Sequence, residues 1–168
     1  DCTLGVDSRY HSVFNQYYAK HGSGYFFKKV KPIFAKDDLT IVNFEGTLTT
    51  SNNRAYKTYT FKGPAKYVNI LKKGSVEVVN LANNHTMDFS HGGLLATLDY
   101  VNQAGFVHAG AGKNLEEAAQ PGYLDTKNAR VALISVVSTL VNPAAMAGKQ
   151  SRRFIGRPGV NPLRADER

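Results

Sequence analysis

The stretch that most limits what this chain can fold into runs from residue 76 to residue 110. Residues 76–81 are an apolar, β-branched run of strand length. They open into a polar loop holding Asn83, Asn84, His85, Thr86 and Asp88. Residues 92–105 follow, with Leu94, Leu95, Leu98 and Val101 at helical spacing and Gly105 as the stop. A second β-prone run, 106–110, comes next. Strand, helix, strand in that order predicts α/β architecture with a largely buried sheet. Polar side chains gathered just past a strand are where open α/β sheets bind ligands, so residues 83–91 are a candidate active-site loop. The plain alternative is an Asx turn leading into a helix N-cap, which Asn and Thr favour.

The rest of the chain extends the pattern. Residues 39–44 read as an earlier strand, introduced by Asp37-Asp38 and ended by Glu45-Gly46. Residues 47–60 are polar and Asn-rich, a hairpin or excursion, and Pro64 is placed as the first helical residue of a segment reaching Lys72-Lys73-Gly74. Residues 1–38, aromatic-rich and Gly-punctuated, predict a long loop with a short helix. Residues 116–119 predict a brief helix, 130–138 a strand, and 140–168 an extended loop region without a core of its own. One domain over 1–168 is expected, since a chain of this length buries roughly 70% of the surface it exposes when unfolded.

Composition narrows the partners. The formal charge of +8 favours an anionic polymer, a phosphate ester or an acidic envelope surface. The basic residues are scattered, densest at Lys28-Lys29-Val30-Lys31 and Arg152-Arg153, and no nucleic-acid-binding motif accompanies them, so no nucleic acid is expected. No apolar run reaches the roughly 20 residues of a membrane span, and no secretory leader is visible before the structured segment that opens at Asp1. The single cysteine, Cys2, excludes an internal disulfide and a Cys-based zinc cage.

Three sites gather carboxylates, amides and imidazole at the predicted strand ends: Asp1, Asn43-Phe44-Glu45-Gly46 and Asn83-Asn84-His85. Carboxylate and amide oxygens suit hard or borderline divalent metals, and imidazole serves as a ligand or an acid. Adjacent parallel strands ending on one edge would bring Glu45 and Asn84 together. Other residues are weaker candidates. Asp88 and His91 read more readily as helix-start or surface residues, and Gly110-Ala111-Gly112 as a tight turn. His108 reads as a satisfied core or edge histidine, His11 and His21 as solvent-facing, and the N-terminal Tyr and Phe as core builders.

These motifs resemble the CapA family of bacterial capsule and poly-gamma-glutamate synthesis proteins, a branch of the calcineurin-like metallophosphoesterases. The matching stretches are Ile41-Val42-Asn43-Phe44-Glu45-Gly46-Thr47-Leu48-Thr49 and Asn80-Leu81-Ala82-Asn83-Asn84-His85-Thr86-Met87-Asp88-Phe89. Asp1-Cys2-Thr3-Leu4-Gly5 is similar to the tail of the family's Gly-Asp opening motif. Supporting matches are Gly92-Gly93-Leu94, Gly110-Ala111-Gly112-Lys113-Asn114 and Pro158-Gly159-Val160-Asn161-Pro162.

The resemblance implies a metallophosphoesterase-like sandwich of two sheets flanked by helices, here an incomplete portion of it. By motif position Asp1 would bind one divalent metal (manganese, zinc or iron), Glu45 would stand where the superfamily has a bridging Asp, and Asn84 would bind the second metal. His85 would be the acid beside the metals, with Asn43, Asn83 and Asp88 supporting the ligands from behind. The superfamily usually has a His where Thr3 stands, and the family's later lone His and Gly-His-Pro-His run do not occur in the sequence. Only part of a metal site is therefore expected. The implied function is capsular polymer biosynthesis or export at the cell surface, membrane-anchored in the full-length protein and alongside capsule-synthesis membrane components. Three versions stay open: metal-dependent hydrolysis or transfer at a phosphate or polymer amide, non-catalytic binding of an anionic polymer such as poly-gamma-glutamate, and a catalytically dead fragment with a structural role.

Overall fold

A computed structural model describes residues 1–7, 9–10, 13–139 and 142–163. In chain order the elements are β1 (Val6–Asp7), α1 (Val13–His21), α2 (Lys31–Phe34), β2 (Ile41–Asn43), β3 (Thr47–Leu48), β4 (Phe61–Gly63) and α3 (Val68–Lys73). There follow β5 (Val78–Asn80), α4 (Ser90–Gln103), β6 (Val107–Ala109), β7 (Ala111–Gly112), α5 (Leu115–Ala119), β8 (Gly122–Asp125), β9 (Arg130–Leu133) and β10 (Gly159–Val160). Short 3-10 turns lie at Ser23–Tyr25, Ala65–Tyr67 and Pro143–Ala145. The result is a mixed α/β architecture of several small sheets flanked by helices.

The sheet that positions the site is parallel, in the order β2-β5-β6. Its register aligns Asn43 with Asn80 and Asn80 with Ala109, so the segments after all three strands leave from one edge. As the central strand, β5 is covered on both faces, which is why Val78 and Val79 follow one another without alternation and are both buried. On α4, Leu94, Leu98 and Val101 face the core at i, i+4 and i+7. Each such side chain contributes about 1.5–3 kcal/mol of burial. A second sheet, β1-β4-β3, is tied to α4 where the Leu48 N–H donates to Thr97 Oγ1 at 2.9 Å. Phe44, Leu48, Ile70, Leu71, Leu81 and Val160 join one apolar cluster across these layers.

Gly110 has a φ of 98°, and a Cβ there would lie 2.5 Å from that of Ala82. Glycine is what allows the chain leaving β6 to turn directly against the segment that begins the His85 loop.

Several local expectations change. Pro64 is extended (ψ 155°) and precedes the first turn instead of opening it, since the residue after it starts the 3-10 turn. Residues 1–38 hold α1, a 3-10 turn and α2 because Phe14, Tyr18, Phe26 and Phe27 pack against the core and stabilise helical turns there. The strand expected over 130–138 stops at Leu133, where its antiparallel partner β8 runs out at Gly122. The turn expected at 110–112 contributes β7, paired with β10. Leu140, Val141 and residues 164–168 of the expected C-terminal loop lie outside the described residues, as does His11.

Candidate functional site

The site begins with register. Asn43 and Asn80 are paired neighbours at the ends of β2 and β5, and Asn80 Nδ2 donates to Asn43 Oδ1 at 2.8 Å. Asn83 donates to the same oxygen at 3.0 Å and to the Phe44 carbonyl at 2.8 Å. Its own Oδ1 accepts from the His85 N–H at 2.9 Å and from the Thr86 hydroxyl at 3.1 Å. One buried amide thus latches the loop after β5 to the end of β2. The N-terminus runs beside β2, with Cys2 N–H donating to the Asn43 carbonyl at 2.7 Å and Glu45 N–H to the Cys2 carbonyl at 3.1 Å. That places Asp1 against Asn43, whose Nδ2 donates to Asp1 Oδ1 at 2.6 Å. Burial pushes the neighbouring Cys2 thiol up to about 11.

His85 and Asp88 form the centre of the network. Asp88 is fully buried, and its Oδ2 accepts from His85 Nδ1 at 2.8 Å and from the Phe61 N–H at 2.6 Å. Its Oδ1 accepts from Lys57 Nζ at 2.7 Å, which also donates to the Asn84 carbonyl at 2.8 Å. With Nδ1 donating to Asp88, His85 turns Nε2 toward Glu45 Oε1, 3.4 Å away. The Phe61 ring, 4.5 Å from the imidazole, fixes its plane. Asp88 is therefore a buried orienting carboxylate and not the helix-start or surface residue its place before α4 suggested. His85 is itself only 8% exposed.

The structure brings Asp1, Asn43, Glu45, Asn83, His85 and Asp88 into one hydrogen-bonded and ion-paired set at the sheet edge. Asn84 leaves from the same edge, exposed, and joins the network through its backbone oxygen. Lys57 and Asn80 belong to the set but were not singled out from sequence. Asn80 lies within the recognised motif, whereas Lys57 sits 31 residues before Asp88 in a segment without periodicity. His91 is exposed at the start of α4. His108 differs from its reading as satisfied: Nε2 pairs with Asn102 Oδ1 at 3.0 Å, but Nδ1 is buried without a partner among the described residues. Burial holds its pKa below the ordinary histidine value.

The metal implied by the motifs meets a partial donor set. Among the described residues no three His, Cys, Asp or Glu side chains converge as a metal cluster. Asp1 Oδ1 already accepts from an amide, and Glu45 faces an imidazole nitrogen. The described residues do not make a closed metal site.

A buried carboxylate orienting an imidazole whose far nitrogen meets a second carboxylate, on the edge of a parallel α/β sheet, is an arrangement that can hold and pass a proton. The family described as bacterial capsule synthesis protein PGA_cap matches residues 3–165, and the chain belongs to it. The chain is 26% identical over 145 residues to the capsule biosynthesis protein CapA of Bacillus anthracis, covering 84% of this chain and 35% of that protein. It is 30% identical over 143 residues to the PGA biosynthesis protein CapA of Bacillus subtilis (strain 168), covering 84% and 36%. An uncharacterized Sinorhizobium fredii protein, y4sH, is 33% identical over 96 residues, covering 57% and 21%. The chain spans about a third or less of the length of these relatives.

Proposed function

We propose that this chain supplies an acid–base centre to a protein of capsular polymer synthesis, acting by hydrolysis or transfer on poly-gamma-glutamate or a phosphate-bearing substrate at the cell surface. The carrying observation is the Asp88–His85–Glu45 line, with contacts of 2.8 and 3.4 Å on opposite sides of one imidazole. In hydrolysis water attacks the carbonyl carbon or phosphorus and gives its proton to Glu45. The bond to the leaving nitrogen or oxygen breaks, and that atom takes the proton from His85 Nε2. Transfer from Glu45 to His85 then restores both groups. Asp88 holds Nδ1 throughout and keeps Nε2 aimed at the reacting atoms.

The test is turnover of gamma-linked polymer and of phosphodiesters by wild type and by His85→Gln. Loss of turnover by about 100-fold or more is expected for the variant. Full turnover in a folded His85→Gln protein would end the acid role. Turnover that requires added manganese or zinc would direct attention to Asp1, Glu45 and Asn84 as ligands.

A second reading has its own support. Lys20, Lys28, Lys29, Lys31 and Lys36 are exposed, and no Asp or Glu lies between Arg9 and Asp37. Such a run of exposed cations without acidic neighbours in sequence would hold an anionic polymer by charge alone. Polymer retention that collapses with ionic strength, without turnover under any condition, would favour this scaffold role.

A further inference from the structure

A cavity of about 360 Å³ opens beside the His85 loop, and the acid–base line does not use it. Lys57 and Asn84 form the wall it shares with the site, while Arg54, Tyr56 and His91 contribute elsewhere. Ala55, Met87, Ala144 and Ala145 make part of its surface apolar, and no Asp or Glu among the described residues lines it. The charges in this wall do not cancel. Lys57 is answered by Asp88. Arg54 instead donates to neutral oxygens: Nε to the Thr60 hydroxyl at 2.7 Å, and Nη2 to the carbonyls of Lys57 at 2.7 Å and Thr58 at 3.1 Å. No carboxylate among the described residues pairs with it. Those bonds fix the guanidinium in place without neutralising it, and a pre-positioned guanidinium is suited to carboxylate and phosphate oxygens.

We propose that this cavity is an anion-recognition site for a carboxylate or phosphate carried on a flexible aliphatic chain. It takes the unit of the substrate next to the one that reacts at Glu45 and His85, and so rests on the reading of that pair as the reacting centre. Arg54 receives the oxyanion, and the apolar wall receives the methylene carbons, the usual division of labour in a pocket with few polar groups. Position along the polymer is then set by a charge contact one unit away from the chemistry, which supplies orientation to the reacting bond.

The test is calorimetric titration of the chain with gamma-linked triglutamate and, separately, with inorganic phosphate. Wild type is expected to bind at least one probe, tighter binding of triglutamate marking a carboxylate site and tighter binding of phosphate a phosphate-ester site. Arg54→Gln is expected to weaken binding about ten- to a hundredfold, the worth of a charge-assisted hydrogen bond. Because Arg54 also ties its own loop, Ala144→Phe serves as the second variant: it leaves every Arg54 bond intact, fills the cavity, and should weaken binding as much. Unchanged affinity in both cavity variants, or binding of neither probe, overturns the proposal. If affinity falls instead in a Lys28→Glu, Lys29→Glu protein while the cavity variants bind normally, the cavity assignment is wrong and the polymer-binding reading survives. If the cavity variants lose affinity but His85→Gln keeps full turnover, the cavity stands and the acid–base reading falls.

Discussion

Lys57 donates to Asp88 at 2.7 Å and to the Asn84 carbonyl at 2.8 Å, so one ammonium secures both the orienting carboxylate and the loop that carries the imidazole. Removing it leaves a fully buried carboxylate without its cation, which costs about 3–5 kcal/mol for a buried pair broken on one side. His85→Ala removes one donor from the same carboxylate and is expected to cost less, about 1–3 kcal/mol. That exceeds the small effect expected of a loop residue placed only by its position after a strand, because His85 is 8% exposed and bonded on its inner side. Urea unfolding of Lys57→Met and His85→Ala measures the order directly. A Lys57→Met protein as stable as wild type would mean that Asp88 finds water or another donor. Lys57 was not legible as a site residue because nothing local marks a lysine that acts on a loop far along the chain.

At the scale of elements, α4 was the most readable part of the chain, since Leu94, Leu98 and Val101 repeat at a spacing that only a helix places on one face. It carries that face against the core while its start follows directly from the His85 loop. Leu94→Ala is expected to cost about 2–5 kcal/mol with little change in the slope of unfolding free energy against urea, because it empties core volume without altering the surface exposed on unfolding. A loss below about 1 kcal/mol would mean the surrounding side chains collapse into the space. The short strands were harder to bound: β2, β5 and β6 are three residues each, so their ends depend on partners rather than on periodicity. Residues 134–138 show this, being β-prone in sequence yet left beyond the end of β8.

Across the whole molecule, acid sensitivity follows from groups that anchor distant segments. Asp7, on β1, is buried and accepts from Arg9 and from the Thr60 N–H at 3.1 Å, joining the N-terminal strand to the excursion before β4. The Arg9 hydrogen bonds hold its carboxyl well below the usual range. With the folded value below the unfolded value of about 3.9, the unfolded chain binds more protons in acid, so this stabilisation is present above that pH and is lost as pH falls below it. His108, lowered by burial, adds an earlier loss that begins as pH falls below about 6.5. Thermal unfolding followed from pH 8 to pH 3 should therefore decline in two stages, with Asp7→Asn flattening the lower one. An unchanged acid limb in Asp7→Asn would show that this clamp does not govern it.

What the sequence determined alone was the strand, helix, strand order across β5, α4 and β6 with the strand β2 before it, the family-like motifs after two strands, and the candidates Asp1, Asn43, Glu45, Asn83, Asn84, His85 and Asp88. The order follows from local periodicity, and the motifs and candidates from side-chain chemistry together with the family resemblance, all of which a chain displays before it folds. Tertiary structure decided which of them touch. Parallel register put Asn43 beside Asn80, the N-terminal segment carried Asp1 to Asn43, and the excursion between β3 and β4 delivered Lys57 to Asp88 and Phe61 to the His85 ring. Such pairings are held by packing between residues far apart in sequence, and no local pattern encodes them.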